Sequence, residues 1–443
     1  MKKLFTLLIL GAFVFFIPGW NGTIAQKPPE FTSLMVYNPV LYYGYTGMFD
    51  EFSLLQPSVL VHEGTFYMFY TGVDGDGIAS IGLASSTDGY SYEKYQGNPV
   101  LVHSENGFDA LEVSGANVIE VDTGWIMYYG GRESGWGPPP FIGRATAPEI
   151  SGPWTRSLLP VLTIGSPDEW DNDFISPFQI LSMDGGGYMM FYTAGNYASG
   201  ADYQIGMATS PDGFEWTKYD DPSTIDPPYA ESDPVLKVGD ANDWDQSLLW
   251  GGSVLKNPSF GYEMYYTGCD MGYVFGFGYA TSPDGINWTK YPDNPIYTIA
   301  DDPYAQENGF GVIVRPYIVY NDLTAFMYYD YGIPGVIGMA TADLTGIGDQ
   351  AAVSSQQSAV VSCYPNPTEG ISHFAFRISQ YQYVTLKIYD AQGQEVVVVA
   401  DEGLPAGEHT ISFDMSGLPA GIYYYRFAVG GQRSAVGGKI VKL

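Results

Sequence analysis

The sequence predicts an all-β protein, a five-bladed β-propeller followed by a small antiparallel β-sandwich. Three observations lead to this prediction. An aromatic pattern returns five times between Leu34 and Gly348. The 55 Gly and 30 Pro residues divide the chain into short elements and leave little room for long helices. Towards the C-terminus, short runs of alternating polar and apolar residues are separated by turn signals.

The charge and composition of the chain exclude several classes of protein. The 443 residues include 18 Lys and Arg against 49 Asp and Glu, a net charge of −31. Nucleic acids and anionic membranes are bound by clustered basic side chains, so neither is expected as a partner. Aromatic residues form 16% of the chain, which argues against a disordered acidic protein. Two cysteines exclude a disulfide scaffold and a cysteine-based metal cluster.

Residues 1–25 are predicted to be a secretory signal peptide. Lys2 and Lys3 supply the positive start, residues 4–17 the apolar stretch, and Thr23-Ile24-Ala25 the small-residue cleavage site. The apolar stretch is shorter than the ~20 residues of a spanning helix. No other segment is long and apolar enough to cross a bilayer. We therefore expect a mature protein that lies outside the cytoplasm and has no membrane span.

Residues 34–348 contain five copies of one unit, and this region is the predicted propeller. The clearest part of the unit is an aromatic strand around a methionine, which recurs roughly every 60 to 75 residues. The five copies lie at residues 66–72, 125–131, 188–195, 262–268 and 325–330. A second strand follows each copy, at residues 81–85, 142–146, 205–209, 277–281 and 337–341.

A tight turn and an outer strand come next in the unit. In the Asp-Gly step of the turn, Asp accepts backbone N–H groups and Gly adopts a positive φ. The aromatic residue after the turn is expected to pack between neighbouring units, as at Tyr92, Trp216 and Trp288. About four short strands per unit bury their faces by radial stacking, which is a propeller. Residues 37–41 resemble an outer strand without a preceding unit, so we expect them to close the ring beside the fifth blade, which ends early at Leu344.

The first strand of each blade should line the central channel. These strands are residues 54–59, 113–118, 174–179, 249–254 and 313–318. Residues shared by all blades indicate scaffold, whereas residues that break the symmetry are candidates for function. The symmetry-breaking residues are Gln56, Glu112, Asp173, Ser176, Trp250 and Arg315.

Glu112 and Asp173 are the candidate catalytic pair. They hold the same position in adjacent blades, and the period of a β-strand allows both side chains to point into the channel mouth. Two carboxylates across a cleft are what glycoside hydrolysis requires, because one donates a proton and the other activates water or attacks the sugar. Asp50 is a third candidate. It belongs to a set of repeated Phe-Asp and Trp-Asp pairs that we interpret first as turn caps.

Four other symmetry breakers are candidate substrate-binding residues. Arg315 can hold a hydroxyl pair or a carboxylate bidentately, or it can pair with one of the many acids. Trp250 and Trp136 can stack on sugar rings or pack between blades. Gln56 and Ser176 stand at the channel position of their blades.

No cofactor and no catalytic metal site are predicted. The four histidines are scattered and form no ligand pattern. The run Asp74-Gly75-Asp76-Gly77 resembles a calcium loop only faintly, because the full ligand spacing is missing. A structural Ca²⁺ ion is the single metal that this run leaves open.

The repeated phrases resemble the five-bladed propeller glycosidases, the superfamily of glycoside hydrolase families 43, 32, 68, 117 and 130. Tyr-Tyr-Thr-Gly, Ile-Gly-x-Ala-Thr and Asn-Pro-Val-Leu carry the resemblance through the five blades. The resemblance implies an O-glycosyl hydrolase that acts on a poly- or oligosaccharide. Family 43 has a base Asp where this chain has Gln56, and a second Asp would suit the position of Ser176. Either shifted carboxylates do the chemistry, with Glu112 as acid and Asp173 or Asp50 as base, or the active site has degenerated.

The C-terminal part is predicted to be a linker, residues 349–361, and a small sandwich, residues 362–443. Alternating runs lie at residues 372–378, 383–389, 410–415, 422–428 and 439–443. Tyr364-Pro365-Asn366-Pro367 and Leu418-Pro419-Ala420-Gly421 resemble the C-terminal sorting domain of the type IX secretion system of Bacteroidetes-type bacteria. The resemblance implies export by the type IX secretion machinery, followed by release or attachment to the cell surface. A generic carbohydrate-binding sandwich is the alternative.

The sequence therefore predicts a secreted or cell-surface carbohydrate-active protein, with glycoside hydrolysis as its first expected activity. The alternative is a non-catalytic propeller that binds glycan or protein at the cell surface. A sialidase is a weaker third reading. Its Asp-box resembles the Ser-Pro-Asp-Gly-x-x-Trp phrase, but that family has six blades and an arginine trio, and neither is visible here.

Overall fold

The computed structural model describes the propeller region and most of the C-terminal region. The described residues are 27–135, 137–196, 201–332, 334–344, 361–364, 368, 370–378, 382–390, 395–404, 407–429 and 435–443. The predicted signal peptide, residues 349–360 of the predicted linker and Trp136 lie outside them. Among the described residues, no helix has the length and hydropathy of a membrane span.

Within residues 27–344, the described strands form five antiparallel sheets, one for each predicted unit. A short strand, β1 (Thr32–Ser33), comes before the first blade. Blades one and two contain β2 (Ser53–His62), β3 (Thr65–Val73), β4 (Ala79–Ser86), β5 (Glu93–Lys94), β6 (Glu112–Val121), β7 (Gly124–Arg132), β8 (Phe141–Ala147), β9 (Thr155–Arg156) and β10 (Leu162–Thr163). Blade three contains β11 (Phe174–Ser182), β12 (Tyr188–Asn196), β13 (Ala201–Ser210), β14 (Thr217–Lys218) and β15 (Pro234–Leu236).

The last two blades follow the same order. Blade four contains β16 (Leu248–Asn257), β17 (Gly261–Cys269), β18 (Phe275–Ser282), β19 (Thr289–Lys290) and β20 (Tyr297–Thr298). A 3-10 turn (Ile299–Asp301) and the short helix α1 (Pro303–Asn308) lead to blade five, which contains β21 (Val314–Asn321), β22 (Thr324–Asp330) and β23 (Ile337–Asp343). The first strands β2, β6, β11, β16 and β21 contact one another in a closed cycle, with β21 against β2. The five sheets therefore surround one axis, and the predicted five-bladed propeller is confirmed.

The N-terminal segment closes the ring. Strand β1 pairs with β23 of the fifth blade, with Thr32 opposite Thr341. Farther along the segment, Leu41 forms a bridge with Ile337, so the segment at residues 37–41 lies beside blade five as expected. The propeller thus includes Thr32–Ser33, two residues before the start that the sequence suggested.

The hydrophobic core is divided among the interfaces between blades. Five buried clusters each combine residues of two neighbouring blades, including the pair that joins blade five to blade one. One aromatic side chain of each outer segment packs against the aromatic strand of the preceding blade. These pairs are Tyr92 with Tyr328, Trp154 with Phe69, Trp216 with Tyr128, Trp288 with Phe191 and Phe31 with Tyr265. The predicted packing of the turn aromatics between units is confirmed, and Phe31 completes the set from the N-terminus.

The C-terminal strands form two sheets that share one core. The strands are β24 (Val361–Tyr364), β25 (Ile371–Ile378), β26 (Gln382–Tyr389), β27 (Glu395–Leu404), β28 (Gly407–Asp414), β29 (Gly421–Val429) and β30 (Ala435–Lys442). One sheet has the order β24-β25-β28 and the other β27-β26-β29-β30. Buried residues of both sheets, such as Phe374 and Leu386, belong to one cluster. The predicted antiparallel sandwich is confirmed, and β24 and β27 are strands that the alternation did not reveal.

Candidate functional site

One residue of each first strand faces the axis, close to a shift in the register with the second strand. The shift falls between Leu55 and Ser58 in β2 and at the equivalent place in β6 and β21, whereas it falls between Pro177 and Gln179 in β11 and between Gly251 and Ser253 in β16. The residues at this position are Gln56, Gly115, Ser176, Gly251 and Arg315. All five line a cavity of about 120 Å³, which we call the central pocket. The predicted binding residues Gln56, Ser176, Trp250 and Arg315 are thus brought together in one place.

Hydrogen bonds between blades fix the backbone of the pocket. In four of the five blades, a side chain near the end of the aromatic strand accepts the backbone N–H of the pocket residue in the next blade. These contacts are Gly115 to Thr71 (2.9 Å), Gly251 to Thr193 (2.9 Å), Arg315 to Thr267 (2.8 Å) and Gln56 to Asp330 (2.9 Å). Gly130 holds the fifth position of the column, and it has no side chain with which to bind Ser176. The pocket is therefore a property of the closed ring and of no single blade.

The Gln56 side chain presents its amide nitrogen to the pocket. The Thr71 hydroxyl donates to Gln56 Oε1 at 2.7 Å, which turns the oxygen towards blade one. A Cβ placed on Gly115 would lie 3.2 Å from Gln56 Nε2 and 3.4 Å from Ser176 Oγ, so the three residues adjoin. Gly115 also has a φ of +61°, which glycine adopts at little cost. A side chain at Gly115 would crowd the Gln56 amide and strain the bulge.

Arg315 carries the charge of the pocket wall. Its Nη1 atom donates to Asp330 at 3.1 Å and 3.4 Å, and Cζ lies 5.0 Å from the centre of the Trp250 ring. The Asp330 carboxylate is fully buried, and burial raises its pKa while the guanidinium of Arg315 opposes this rise. One buried carboxylate thus orients the guanidinium while a quarter of the Arg315 side chain stays exposed.

Aromatic side chains next to Arg315 form another part of the pocket wall. Trp250 stacks on Phe275 with ring centres 5.9 Å apart, and Tyr203 lies 5.7 Å from Trp250. Tyr203 in turn packs on Phe174 at 4.4 Å. Fixed aromatic faces beside polar groups are the usual means by which proteins contact the two faces of a sugar ring. The Trp250 ring lines the pocket and also packs against Phe275 and Tyr203, and its stacking on a sugar stays a prediction.

Polar contacts across the axis close the bottom of the pocket. The Asn117 side-chain amide donates to Ser58 Oγ, to the Tyr317 hydroxyl and to the Phe178 carbonyl, at 3.2–3.3 Å. Its oxygen accepts the N–H of Ile180. These contacts join four blades below the pocket residues. The pocket is consequently a blind cup that opens at one end of the axis.

Asp330 is a site residue that the sequence predictions missed. It stands in the column occupied by Thr71, Gly130, Thr193 and Thr267 in the other aromatic strands. The first strands contain the symmetry breakers that the repeat reveals most directly, whereas Asp330 breaks the symmetry of the second strands. The rule that symmetry breakers are candidates for function singles out Asp330 when it is extended to the second strands.

Glu112 lies away from the pocket, in a buried ion pair. Its carboxylate pairs with the Arg132 guanidinium, which also donates to the Gly135 carbonyl. Glu112 and Arg132 are direct partners across the β6–β7 ladder. The predicted role of Glu112 as catalytic acid is not supported by this position, because the pair holds the carboxylate within its own blade.

Asp173 also lies off the described pocket wall. It is half-buried at the start of blade three, and its backbone N–H donates to the Gly195 carbonyl. The next residue, Phe174, lines the pocket, whereas Asp173 is not part of the described wall. The expected facing pair of Glu112 and Asp173 is therefore not found on the described wall.

Asp50 belongs to a polar unit that recurs through the propeller. Its buried carboxylate accepts the Tyr70 hydroxyl at 3.0 Å and pairs with Lys94 at 2.5 Å. Equivalent units join Asp109 to Tyr129, Asp171 to Lys218 and Asp245 to Tyr266 and Lys290. These aspartates connect strands of one blade, which is a scaffold role and differs from the expected turn cap. Asp50 is thus not placed for catalysis in the pocket.

The described wall of the pocket contains no Asp or Glu side chain. The faint calcium-like run has a local structural role. Asp74 Oδ1 accepts the backbone N–H groups of Asp76 and Ile78 and so shapes the turn after β3. Among the described residues, no cluster of three or more His, Cys, Asp or Glu side chains is arranged to hold a metal ion.

The fold and the site define the chain as a five-bladed propeller with a blind axial pocket and a C-terminal sandwich. Residues 362–442 match the family described as the secretion system C-terminal sorting domain. The match covers the described sandwich and confirms the predicted resemblance. The sandwich is thus a sorting domain, which marks a chain for secretion.

Solved structures of glycosidases share the propeller fold. A candidate glycosidase from Bacteroides thetaiotaomicron has a TM-score of 0.56 and 16% identity, with 71% of this chain and 97% of that protein covered. A glycosyl hydrolase from Bacteroides ovatus has a TM-score of 0.54 and 18% identity, with 73% and 97% covered. At these identities the likeness defines the fold. It confirms that the chain resembles the propeller glycosidases in architecture.

One sequence relative comes from Mycobacterium tuberculosis. The uncharacterised protein Rv1502 of Mycobacterium tuberculosis is 29% identical over 216 residues, which are 46% of this chain and 65% of the relative. The chain therefore spans less than two thirds of the length of this relative. Its name adds no activity.

Proposed function

We propose that this chain is a secreted or cell-surface carbohydrate-active protein whose central pocket takes one sugar unit of a poly- or oligosaccharide. The observation that carries the proposal is the pocket itself. It combines the stacked face of Trp250 with the polar groups of Gln56, Ser176 and Arg315 at the end of a blind cup. A ring of mixed polarity fits such a site better than a flat apolar molecule does.

Glycoside hydrolysis is the activity that we propose first. The shared fold with glycosidases supports it. Hydrolysis requires an acid and a second carboxylate roughly 5–10 Å apart. The Asp330 carboxylate contacts the wall residues Gln56 and Arg315, and a substrate-bound state would have to bring a second carboxylate to the sugar.

Glycan binding without catalysis is the second candidate function. The absence of Asp and Glu from the described pocket wall favours it. A binding protein needs the aromatic face and the hydrogen-bonding groups but not a pair of carboxylates. Gln56 and Ser176, which stand where the family resemblance would place acids, fit this reading.

Delivery to the cell surface or the medium is the remaining part of the proposal. The sorting domain at residues 362–442 supports export by the type IX secretion machinery. The predicted signal peptide would supply the preceding step across the inner membrane. Fractionation of cells that express the full chain separates release from surface attachment.

The test is one panel of polysaccharides and oligosaccharides, scored for both reducing-sugar release and binding. Trp250→Ala removes the stacking face, and Tyr95→Ala is a control, because Tyr95 is an exposed aromatic residue on an outer segment. Release of sugar that is lost in Trp250→Ala establishes a glycosidase at this pocket. Binding without release, lost in the same variant, establishes the second candidate. Folded protein that neither binds nor cleaves any glycan overturns the proposal.

A further inference from the structure

We propose that the central pocket selects a sugar that carries an acidic group, either a uronate carboxylate or a sulfate ester. This inference rests on the proposed carbohydrate function and names the class of sugar. It follows from the direction of the hydrogen-bonding groups on the pocket wall and from the position of Arg315. Carboxylate and sulfate share the chemistry that matters here, namely charged oxygens that accept several hydrogen bonds.

The Gln56 amide faces the pocket as a donor. Its oxygen is engaged by the Thr71 hydroxyl at 2.7 Å, and its backbone N–H is engaged by Asp330. The Nε2 atom is therefore the part of the Gln56 side chain that lies next to Gly115 and Ser176. An amide nitrogen offers two N–H donors and no lone pair. At this position the pocket presents donors to its ligand.

Arg315 adds the charge. The side-chain hydrogen bonds of Arg315 within the described residues are made by Nη1, which donates to the buried Asp330 carboxylate. A guanidinium has five N–H donors and no acceptor, so the exposed part of Arg315 is also a donor surface. Its position is set by Asp330 and by the Trp250 ring, so little side-chain entropy is lost when a ligand binds. Charge-assisted, bidentate contacts to carboxylate or sulfate oxygens are the strong interactions of such a group.

Neutral sugars are a poorer match to this wall. Their hydroxyls donate as well as accept, and they need oxygen acceptors on the protein. The described wall has no carboxylate, and the Gln56 oxygen is turned away. The hydroxyls of Ser176 and Tyr203 can accept hydrogen bonds from a sugar. The Thr193 hydroxyl, in contrast, already accepts the backbone N–H of Gly251. The balance of donors over acceptors therefore favours an anionic ligand.

Because the chain has a net charge of −31, a preference for an acidic sugar has to arise within the pocket. A chain with such an excess of acids repels polyanions at long range, so binding of an acidic sugar has to come from local contacts. Arg315 is the single Lys or Arg side chain on the described wall. Its removal should therefore change the preference for charge and leave the stacking on Trp250 in place.

The experiment compares two matched ligand pairs on the full chain at 0.15 M salt, at which surface charges are largely screened. The first pair is trigalacturonate and its carboxyl-reduced form. The second is a sulfated galactan tetrasaccharide and its desulfated form. Affinities are measured by calorimetry for the wild type, Arg315→Met, Arg315→Lys and Lys237→Gln. Lys237 lies over the Tyr229 ring away from the pocket, and its variant controls for the loss of one positive charge.

We expect the acidic member of one pair to bind about tenfold more tightly than the neutral member. The pair that shows this difference identifies the group as uronate or sulfate. Arg315→Met should reduce the difference to below about threefold, Arg315→Lys should keep part of it, and Lys237→Gln should keep all of it.

Equal or tighter binding of the neutral members by the wild type overturns the inference but leaves the proposed function intact. A preference for acid that survives in Arg315→Met also overturns it. Folded protein that binds no glycan of either kind overturns the proposed function as well. The wild-type comparison needs no variant, so a poorly folded Arg315→Met does not remove the test.

Discussion

The Asp330 carboxylate accepts the backbone N–H of Gln56 at 2.9 Å, across 274 residues of chain. This contact joins the last blade to the first at the pocket wall. The same carboxylate binds the Arg315 guanidinium, so two wall residues from neighbouring blades share one buried acid. The pocket wall is therefore complete only when blade five meets blade one.

Asp330→Ala should lower the free energy of unfolding of the propeller by about 3–5 kcal/mol, because it leaves the Arg315 charge and the Gln56 N–H without their partner. Asp330→Thr should cost less. It restores the side chain found in three other blades, where a Thr hydroxyl accepts the equivalent N–H. Urea unfolding of both variants measures the difference. Equal losses for Ala and Thr would contradict the role of the Gln56 contact.

Glu112→Gln should destabilise the protein without removing chemistry from the pocket. The change leaves the Arg132 guanidinium buried without its counter-charge, at a cost of about 3 kcal/mol. Any loss of sugar release or binding should then track the loss of folded protein. The measurement is activity per folded molecule, with the folded fraction taken from near-UV circular dichroism. A fully folded Glu112→Gln protein with no activity would return Glu112 to the catalytic site.

The position of Glu112 shows where prediction from the sequence ends. Without a bulge, the β6–β7 hairpin would set Glu112 opposite Glu133, since Val121 pairs with Gly124. The bulge between Ser114 and Asn117 shifts the register by one residue and brings Arg132 to Glu112. The repeated motifs predict the strands and the number of blades, because each motif marks the same strand in every blade. The register shift recurs in all five first strands, but the residues that it brings together differ between blades, so the repeat does not predict the ion pair.

The pocket residues also divide into those that the sequence predicts and one that it does not. Gln56, Ser176, Trp250 and Arg315 were found because they break a pattern in strands known to line the axis. Asp330 was not found because it acts from the neighbouring strand, through a backbone N–H of another blade. Contacts between blades are distant in sequence, and their partners become visible only when the ring is closed.

Asn38→Ala should weaken ring closure. The Asn38 side chain accepts the N–H of Met339 at 2.7 Å and donates to its carbonyl at 2.9 Å. Loss of both bonds should cost about 2–3 kcal/mol, because two buried backbone groups lose their partners. Asn98 makes the same two bonds to Leu83 within blade one and provides a matched control.

The two asparagine variants should differ in glycan affinity. Asn98→Ala should lose similar stability and keep its affinity, because its contacts lie within one blade. Asn38→Ala should lose affinity too, because the N-terminal segment holds blade five, which carries Asp330 and Arg315. Unfolding curves and calorimetric titrations of the two proteins measure both effects. Equal affinities in the two variants would argue against a link between closure and the pocket.

Glu263 should make stability depend on pH. Burial raises the pKa of Glu263 to about 7, although the Tyr279 hydroxyl donates to its carboxylate at 2.9 Å. In the unfolded chain this carboxyl has its ordinary pKa of about 4.5, so the folded state holds the proton more tightly. Its stabilising contribution is complete below about pH 4.5 and is lost as the pH rises to about 7.

The Glu263 contribution should amount to about 3 kcal/mol, from 1.36 kcal/mol for each unit of pKa shift. Glu263→Gln keeps an oxygen that accepts the Tyr279 hydroxyl and has no charge to bury. The difference in unfolding free energy between Glu263→Gln and the wild type should therefore grow in favour of the variant between pH 4.5 and 7. A difference that stays constant with pH would show that Glu263 titrates normally in the folded protein.

Exposed tyrosines on the segment before the first blade should contribute to the binding of long glycans. Tyr42, Tyr43 and Tyr45 are 58%, 51% and 84% exposed on this segment. Tyr42 lies near Tyr304, which packs on Tyr331, the neighbour of Asp330. Exposed rings of this kind stack on sugars beyond the one in the pocket.

Tyr43→Ala should therefore weaken binding of a hexasaccharide several-fold and leave the affinity for a disaccharide unchanged, since a short ligand fills only the pocket. Trp250→Ala should weaken both, because it removes the stacking face within the pocket. Calorimetry with ligands of two to six units gives the dependence on length. The control is Tyr95→Ala, an exposed tyrosine on the outer segment of blade one, which should change neither affinity. An equal loss for short and long ligands in Tyr43→Ala would place Tyr43 in the pocket rather than beside it, and no loss at either length would remove the tyrosines from the binding surface.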